Sequence, residues 1–303
     1  MTDESDPQQE ATGGNEATRA PERDARTSQV TSADVLLADP LAGNARPQFV
    51  YALGRIEPRF PTLAVEKEFA QVAGQGDTAG LTDRQALQSL LSERANRYLL
   101  RKLCWVFTIE GLETYLLHPR DPLDADLLLE TLRPSPRATD VDVVIGVLGP
   151  IAPPELCNGL MVPIVVFEHL YSFDVDALLD SLPRPKGMKA EQFEPAAEEL
   201  FSRIMQMSDN AGATDADRAL NYLSVRYPAI YHKVADRFAA DAALASVYVR
   251  PSPLSGTRTI VEAIFAFTDR NTDVTEKHFV RVDVTEEFPF LVTKLSPYFD
   301  RDI

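Results

Sequence analysis

Two cysteines, four histidines and one helical run of arginine and tyrosine are the residues with most chemistry to offer. Two thiolates and two imidazoles complete a tetrahedral zinc site, and Cys104, Cys157, His118 and His169 supply such a set. His232 and His278 are the other imidazoles, and the spacing does not choose among the four. The bland reading stands beside it. Cys104 precedes Trp105 in an apolar run, where a free cysteine packs as a small hydrophobe. Cys157, in PPELCNGL, has the character of an exposed loop thiol, yet no histidine is placed by sequence to activate it as a nucleophile. One disulfide between the two is the remaining alternative. Two cysteines are too few for a disulfide framework and suit a reducing compartment.

In DRALNYLSVRYPAIYHK, Arg218, Tyr222 and Arg226 recur every four residues and share one helical face. Arginine and tyrosine are favoured at peptide interfaces because each joins buried area to a directional polar group. This face is therefore the first candidate for peptide binding. Its competing explanation is tyrosine rings in the core with arginine stems lying over them. Arg55 and Arg59, with Glu57 between them in GRIEPRFP, alternate along an extended segment and share one side. They make a second candidate binding set, or a charged corner between a strand and a helix.

Other chemistries find no footing. The sequence holds no G-x-S-x-G elbow, H-E-x-x-H, P-loop or C-x-x-C. The glycines of GQGDTAG (74–80) follow a helix rather than a strand, the wrong context for a dinucleotide turn. A formal charge of −16 opposes non-specific binding to nucleic acid. No apolar run is long enough to span a membrane, and the N-terminus has neither the basic start nor the apolar core of a signal peptide, so a cytoplasmic protein is expected.

These residues need elements to position them. Residues 1–45 carry nine Asp/Glu against three Lys/Arg and few large apolar side chains, which predicts an acidic disordered tail. A single α+β domain is expected over 46–303. It opens with a strand in FVYALGRI, stopped by Pro58 and Pro61 before a helix capped by Thr62. Thr82 and Gln85 form a capping box for a long helix in which Leu87, Leu90, Leu91, Ala95, Tyr98 and Leu99 recur. CWVFTIEGLETYLLHP reads as two strands turning at Glu110-Gly111, followed by a short helix. VDVVIGVLGP and VPIVVFEHLYSF repeat that order before DVDALLDSLPRP. Residues 124–136 and 174–185 share an Asp-x-Asp start, paired leucines and proline termination, which suggests a duplicated strand-strand-helix unit. Asp caps on leucine-rich helices are common enough to explain the match without duplication. Three helical pieces over 189–240, broken near Asn210 or Gly212 and at Pro228, precede an antiparallel, β-rich C-terminal segment. The class is α+β, with a mixed sheet flanked by helices.

Several long segments, among them YALGRIEPRFPTLAVEKEFAQ, RKLCWVFTIEGLETYLLHPRD, VIGVLGPIAPPELCNGLMVPIVVF and DNAGATDADRALNYLSVRYPAIY, are similar to one family. SGTRTIVEAIF and HFVRVDVTEEFPFLVTKLSPYFDR extend the similarity to the C-terminus. From about residue 48 onward the chain resembles the C-terminal domain of cyanobactin maturation proteases of the PatA/PatG type, which process ribosomally made precursor peptides. In that family proteolysis and macrocyclisation belong to a separate subtilisin-like domain, and the C-terminal domain has no established activity. The 45 residues before the resemblance are too few for that protease, so no triad residue carries over. The resemblance implies a non-catalytic accessory, recognition or scaffold protein, self-associating, whose partners are the precursor peptide or other maturation enzymes, with no cofactor. Its rival is an enzyme of unrecognised type that uses Cys157 and a histidine, with or without zinc, on the modified peptide.

Overall fold

A computed structural model describes residues 46–299, apart from 75–79 and 183–188. The acidic tail expected over 1–45 and most of the GQGDTAG loop lie outside the described residues.

Strand β1 (Phe49–Arg59) serves two neighbours in succession. Phe49 to Gly54 pair antiparallel with β4 (Asp140–Ile151), and Arg55 to Arg59 pair antiparallel with β2 (Cys104–Ile109). The change of partner falls at Gly54. A Cβ there would sit 2.4 Å from the Thr108 carbonyl and within 3 Å of the Phe107 ring, so only glycine lets the strands approach. With β3 (Leu112–Pro119) and β5 (Pro163–Asp174), these strands close a barrel in the order β1-β2-β3-β5-β4. Its one parallel pair is β3 with β5. The β2–β3 turn is the expected Glu110-Gly111, both at positive φ.

Helix α1 (Leu63–Ala73), helix α2 (Asp83–Ser92) and a 3-10 helix (Arg94–Lys102) fill the β1–β2 connection. Thr62 caps α1, and Thr82 with Gln85 forms the full capping box of α2, both as expected. The single long helix expected here is instead broken at Glu93, whose extended ψ of 127° redirects the chain so that Leu99 and Leu100 reach the barrel core. Helical spacing alone does not separate an α-turn from a 3-10 turn. Helix α3 (Ala125–Thr131) follows β3 and puts Ala125 and Leu128 in that core, beside Trp105, Phe107 and Phe167. The strand order, with a helix between β3 and β4, is that of the five-stranded Greek-key barrel known as the OB-fold.

Helix α4 (Val175–Ser181) follows β5, so both strand-strand-helix units occur in the expected order. Their caps differ: Asp174 caps α4 through the Ala177 amide, whereas Asp121 caps a 3-10 turn leading into α3. Three further helices follow, α5 (Ala190–Met207), α6 (Asp215–Arg226) and α7 (Pro228–Ala239), with Pro228 opening the last as expected. The C-terminal antiparallel sheet comprises β6 (Ala242–Pro251), β7 (Ile260–Asp269), β8 (Thr275–Asp283), β9 (Phe290–Leu291) and β10 (Ser296–Tyr298). Its order is β10-β8-β7-β6, with β9 beside β8. The fold is α+β.

One hydrophobic core joins the two halves. Tyr51, Leu53, Val143 and Ile145 on β1 and β4 belong to the same cluster as Phe193, Leu200 and Leu223 of the helices and Phe265, Phe267 and Val280 of the sheet. Val50, Ala52 and Val144, alternate residues on those strands, belong to the barrel core. No described helix is long and apolar enough to cross a membrane.

Candidate functional site

The Arg218, Tyr222 and Arg226 face of α6 divides between two environments. Arg218 is 2% exposed. Its guanidinium donates to the carbonyls of Val284 (2.7 Å), Glu286 and Glu287 (3.1 Å), and lies 5.3 Å from the Phe49 ring centre. Burial lowers its pKa, partly offset by Asp215 at 3.5 Å. Such a residue clamps the 284–287 segment. Tyr222 is buried, edge-on to Tyr51 and Phe288. Arg226 stacks 4.6 Å over Tyr171, whose hydroxyl meets that of Tyr51 at 2.9 Å. His169 joins this cluster edge-on to Phe288. Next to it, Arg120 pairs with both Glu168 and Glu287, the latter at 3.4 Å. Burial raises the Glu287 carboxyl to about 7; Arg120 opposes the shift and Glu168 adds to it.

The zinc set does not assemble. Cys104 and Cys157 are joined as a disulfide with Cα atoms 5.8 Å apart, so neither offers a thiolate to a metal or a substrate. Both are buried, which corrects the expectation of free thiols and of an exposed Cys157. His118 turns Nδ1 to the Pro119 carbonyl at 2.9 Å, and burial lowers its pKa. Among the described residues no group of three or more His, Cys, Asp or Glu is arranged to hold a metal ion. The disulfide ties β2 to the β4–β5 connection.

The charged stretch of β1 leads to a cleft. Arg55 donates to the carbonyls of Arg137 and Ala138, and Arg59 pairs with Glu113 at 2.8 Å and Glu57 at 4.0 Å. Both arginines are thereby engaged with the chain's own groups. Beside them Glu57, Pro58 and Phe60 form one wall of a cleft of about 520 Å³, within the usual size of ligand sites. Helix α1 contributes Glu66, Phe69 and Ala70, and α2 contributes Asp83, Arg84 and Leu87. The floor is apolar, with Phe60 and Phe69 edge to face at 5.1 Å. The rim carries three carboxylates against Arg84, whose Nε donates to the Arg133 carbonyl at 2.8 Å. A second cleft shares Pro58, Phe60 and Glu66 and runs on to Cys157–Leu160.

Sequence reasoning missed this cleft. Leu87 reads as part of the apolar face of its helix, which is locally correct, and Glu66 and Asp83 are first-turn acids whose place is explained by their helices alone. The one signal was the density of charge and proline in GRIEPRFP, which lines both clefts.

Barrel, helical layer and antiparallel sheet together define an α+β domain with a cleft bounded by β1, α1 and α2. Residues 187–298 match the family model described as PatG C-terminal. The fold is similar to a solved structure titled PatG Domain of Unknown Function, at 22% identity and a TM-score of 0.67, covering 84% of this chain and 99% of that one. No curated protein matches the sequence. The chain carries a domain of the PatG C-terminal type.

Proposed function

We propose that this chain is a non-catalytic recognition or scaffold protein in a cyanobactin-type pathway, acting on a ribosomally made, modified precursor peptide. The match over 187–298 supports the pathway. The observation that carries recognition is the apolar, acid-rimmed cleft, sized for a few side chains and built on helices and a strand rather than on a mobile loop. The disulfide removes the thiolate that a Cys157 enzyme would need, and the arginines and tyrosines of α6 serve to tie elements together.

Calorimetric titration of the folded protein with the precursor peptide of its own pathway tests the reading. Saturable binding with no change in the peptide's mass is expected. Absence of binding by a folded sample, or a chemically altered peptide, overturns it.

A further inference from the structure

Resting on the recognition reading, we propose that the peptide occupies the cleft between β1, α1 and α2, as an extended segment with apolar side chains beside at least one lysine or arginine.

The main chain supplies the first argument. One edge of β1 is covered throughout: β2 pairs with Arg55 to Arg59, while the Tyr51 and Leu53 amides donate to the carbonyls of Gly212 and Asn210. On the other edge the pairing with β4 stops at Gly54, opposite Asp142. The Ile56 amide turns to that side and is taken by the Asp142 carboxylate at 2.8 Å. Two residues on, the same side carries Pro58, which has no N–H to offer. That side of β1 beyond Gly54 therefore has no free N–H donor to offer. It suits an incoming extended chain that contributes N–H groups, and it discourages a register that needs a donor at Pro58.

The side chains specify the rest. Phe60, Phe69, Leu87 and Leu90 offer an apolar floor, and Ala70 and Ala73 leave the space above it open. Glu57, Glu66 and Asp83 on the rim complement a cation, because the cleft's own arginine is held at the Arg133 carbonyl. The walls are fixed in advance. Thr82 and Gln85 lock the start of α2, and the Cys104–Cys157 bridge holds the loop that bounds the adjoining cleft, so little ordering cost falls on binding.

Fluorescence anisotropy with the full chain tests this, using a labelled peptide of alternating valine and lysine and a control with glutamate in place of each lysine. The lysine peptide should bind saturably and the glutamate peptide should not. Ala70→Trp, at an exposed position of α1, fills the cleft without changing charge and should weaken binding by about tenfold or more. Glu66→Gln with Asp83→Asn should weaken it several-fold, whereas the equal charge change Glu194→Gln with Glu198→Gln on α5 should leave it unchanged. Circular dichroism confirms that each variant is folded. Equal affinity for wild type and Ala70→Trp, or equal losses from the two charge pairs, overturns the groove. Precursor binding that survives Ala70→Trp also refutes the groove and leaves the recognition reading standing. Failure of the wild type to bind either peptide or precursor removes both.

Discussion

Gly212 holds a close backbone approach between the two halves. It sits at φ +61° with its amide on the Asp209 carbonyl and its own carbonyl on the Tyr51 amide. A Cβ there would lie 1.9 Å from the Tyr51 carbonyl oxygen. Gly212→Ala therefore combines left-handed strain with a backbone clash and should cost about 3 kcal/mol or more, read from urea unfolding. A loss within about 0.5 kcal/mol would mean that this contact is not made. Glu287 carries the clearest pH dependence. Its folded pKa, about 7, lies above the ordinary glutamate range near 4.3, so between those values the folded state keeps a proton that the unfolded chain releases. Its contribution to stability consequently falls as pH rises through that window. Glu287→Gln should lose less stability than wild type between pH 5 and 8, and parallel curves would show that the carboxyl is not perturbed. Neither residue's role was legible in sequence. The spacing of Arg218, Tyr222 and Arg226 did identify a face of α6, yet spacing says which side chains share a face and nothing about what that face meets. Here it meets the 284–287 carbonyls at one end and Tyr171 at the other.

At the scale of elements, local signals were read well and distant pairings poorly. The Thr62 cap, the Thr82–Gln85 box, the Glu110-Gly111 turn and the Pro228 break each depend on residues within one turn of one another. Barrel closure does not. It needs β1 to change partners at Gly54 and β3 to lie parallel to β5, and β1 is buried on both faces, which erases the alternation that fixes register. The cysteine pair was obscure for the same reason: 53 residues separate the partners, and only the barrel brings β2 beside the β4–β5 connection. Opening that crosslink restores the freedom of a loop of this length to the unfolded chain, a loss of about 4 kcal/mol on the loop-entropy estimate. Cys104→Ser with Cys157→Ser should lower the urea midpoint accordingly. Adding reductant to wild type should reproduce the shift and leave the double variant unmoved. A midpoint insensitive to both would show that the bridge does not restrain the unfolded chain.

The whole molecule is built around a core that ignores its apparent modular boundary. Residues 187–298 match a family model by themselves, and cutting at that boundary would separate α5–α7 and the C-terminal sheet from the barrel. The physical division lies elsewhere. Tyr51, Leu53, Val143 and Ile145 point out of the barrel into the same cluster as Leu200, Leu223 and Phe265. The Asn221 side chain donates to the Tyr51 carbonyl at 2.8 Å, and the 210–212 segment extends the covered edge of β1. Removing the barrel would expose an apolar face several side chains wide and take from the buried Asn221 amide its Tyr51 acceptor, costs that a domain of marginal stability does not absorb. A fragment spanning 187–298 should therefore be aggregated or should lack fixed tertiary packing, with helical far-ultraviolet dichroism but no near-ultraviolet signal. The full chain should unfold in one transition, with the far-ultraviolet dichroism of the helices and the Trp105 signal from the barrel core changing together. Two separated transitions, or a soluble fragment with dispersed amide resonances, would show that barrel and C-terminal sheet are independent bodies. In that case the Gly212 contact would be a docking interface rather than part of a core.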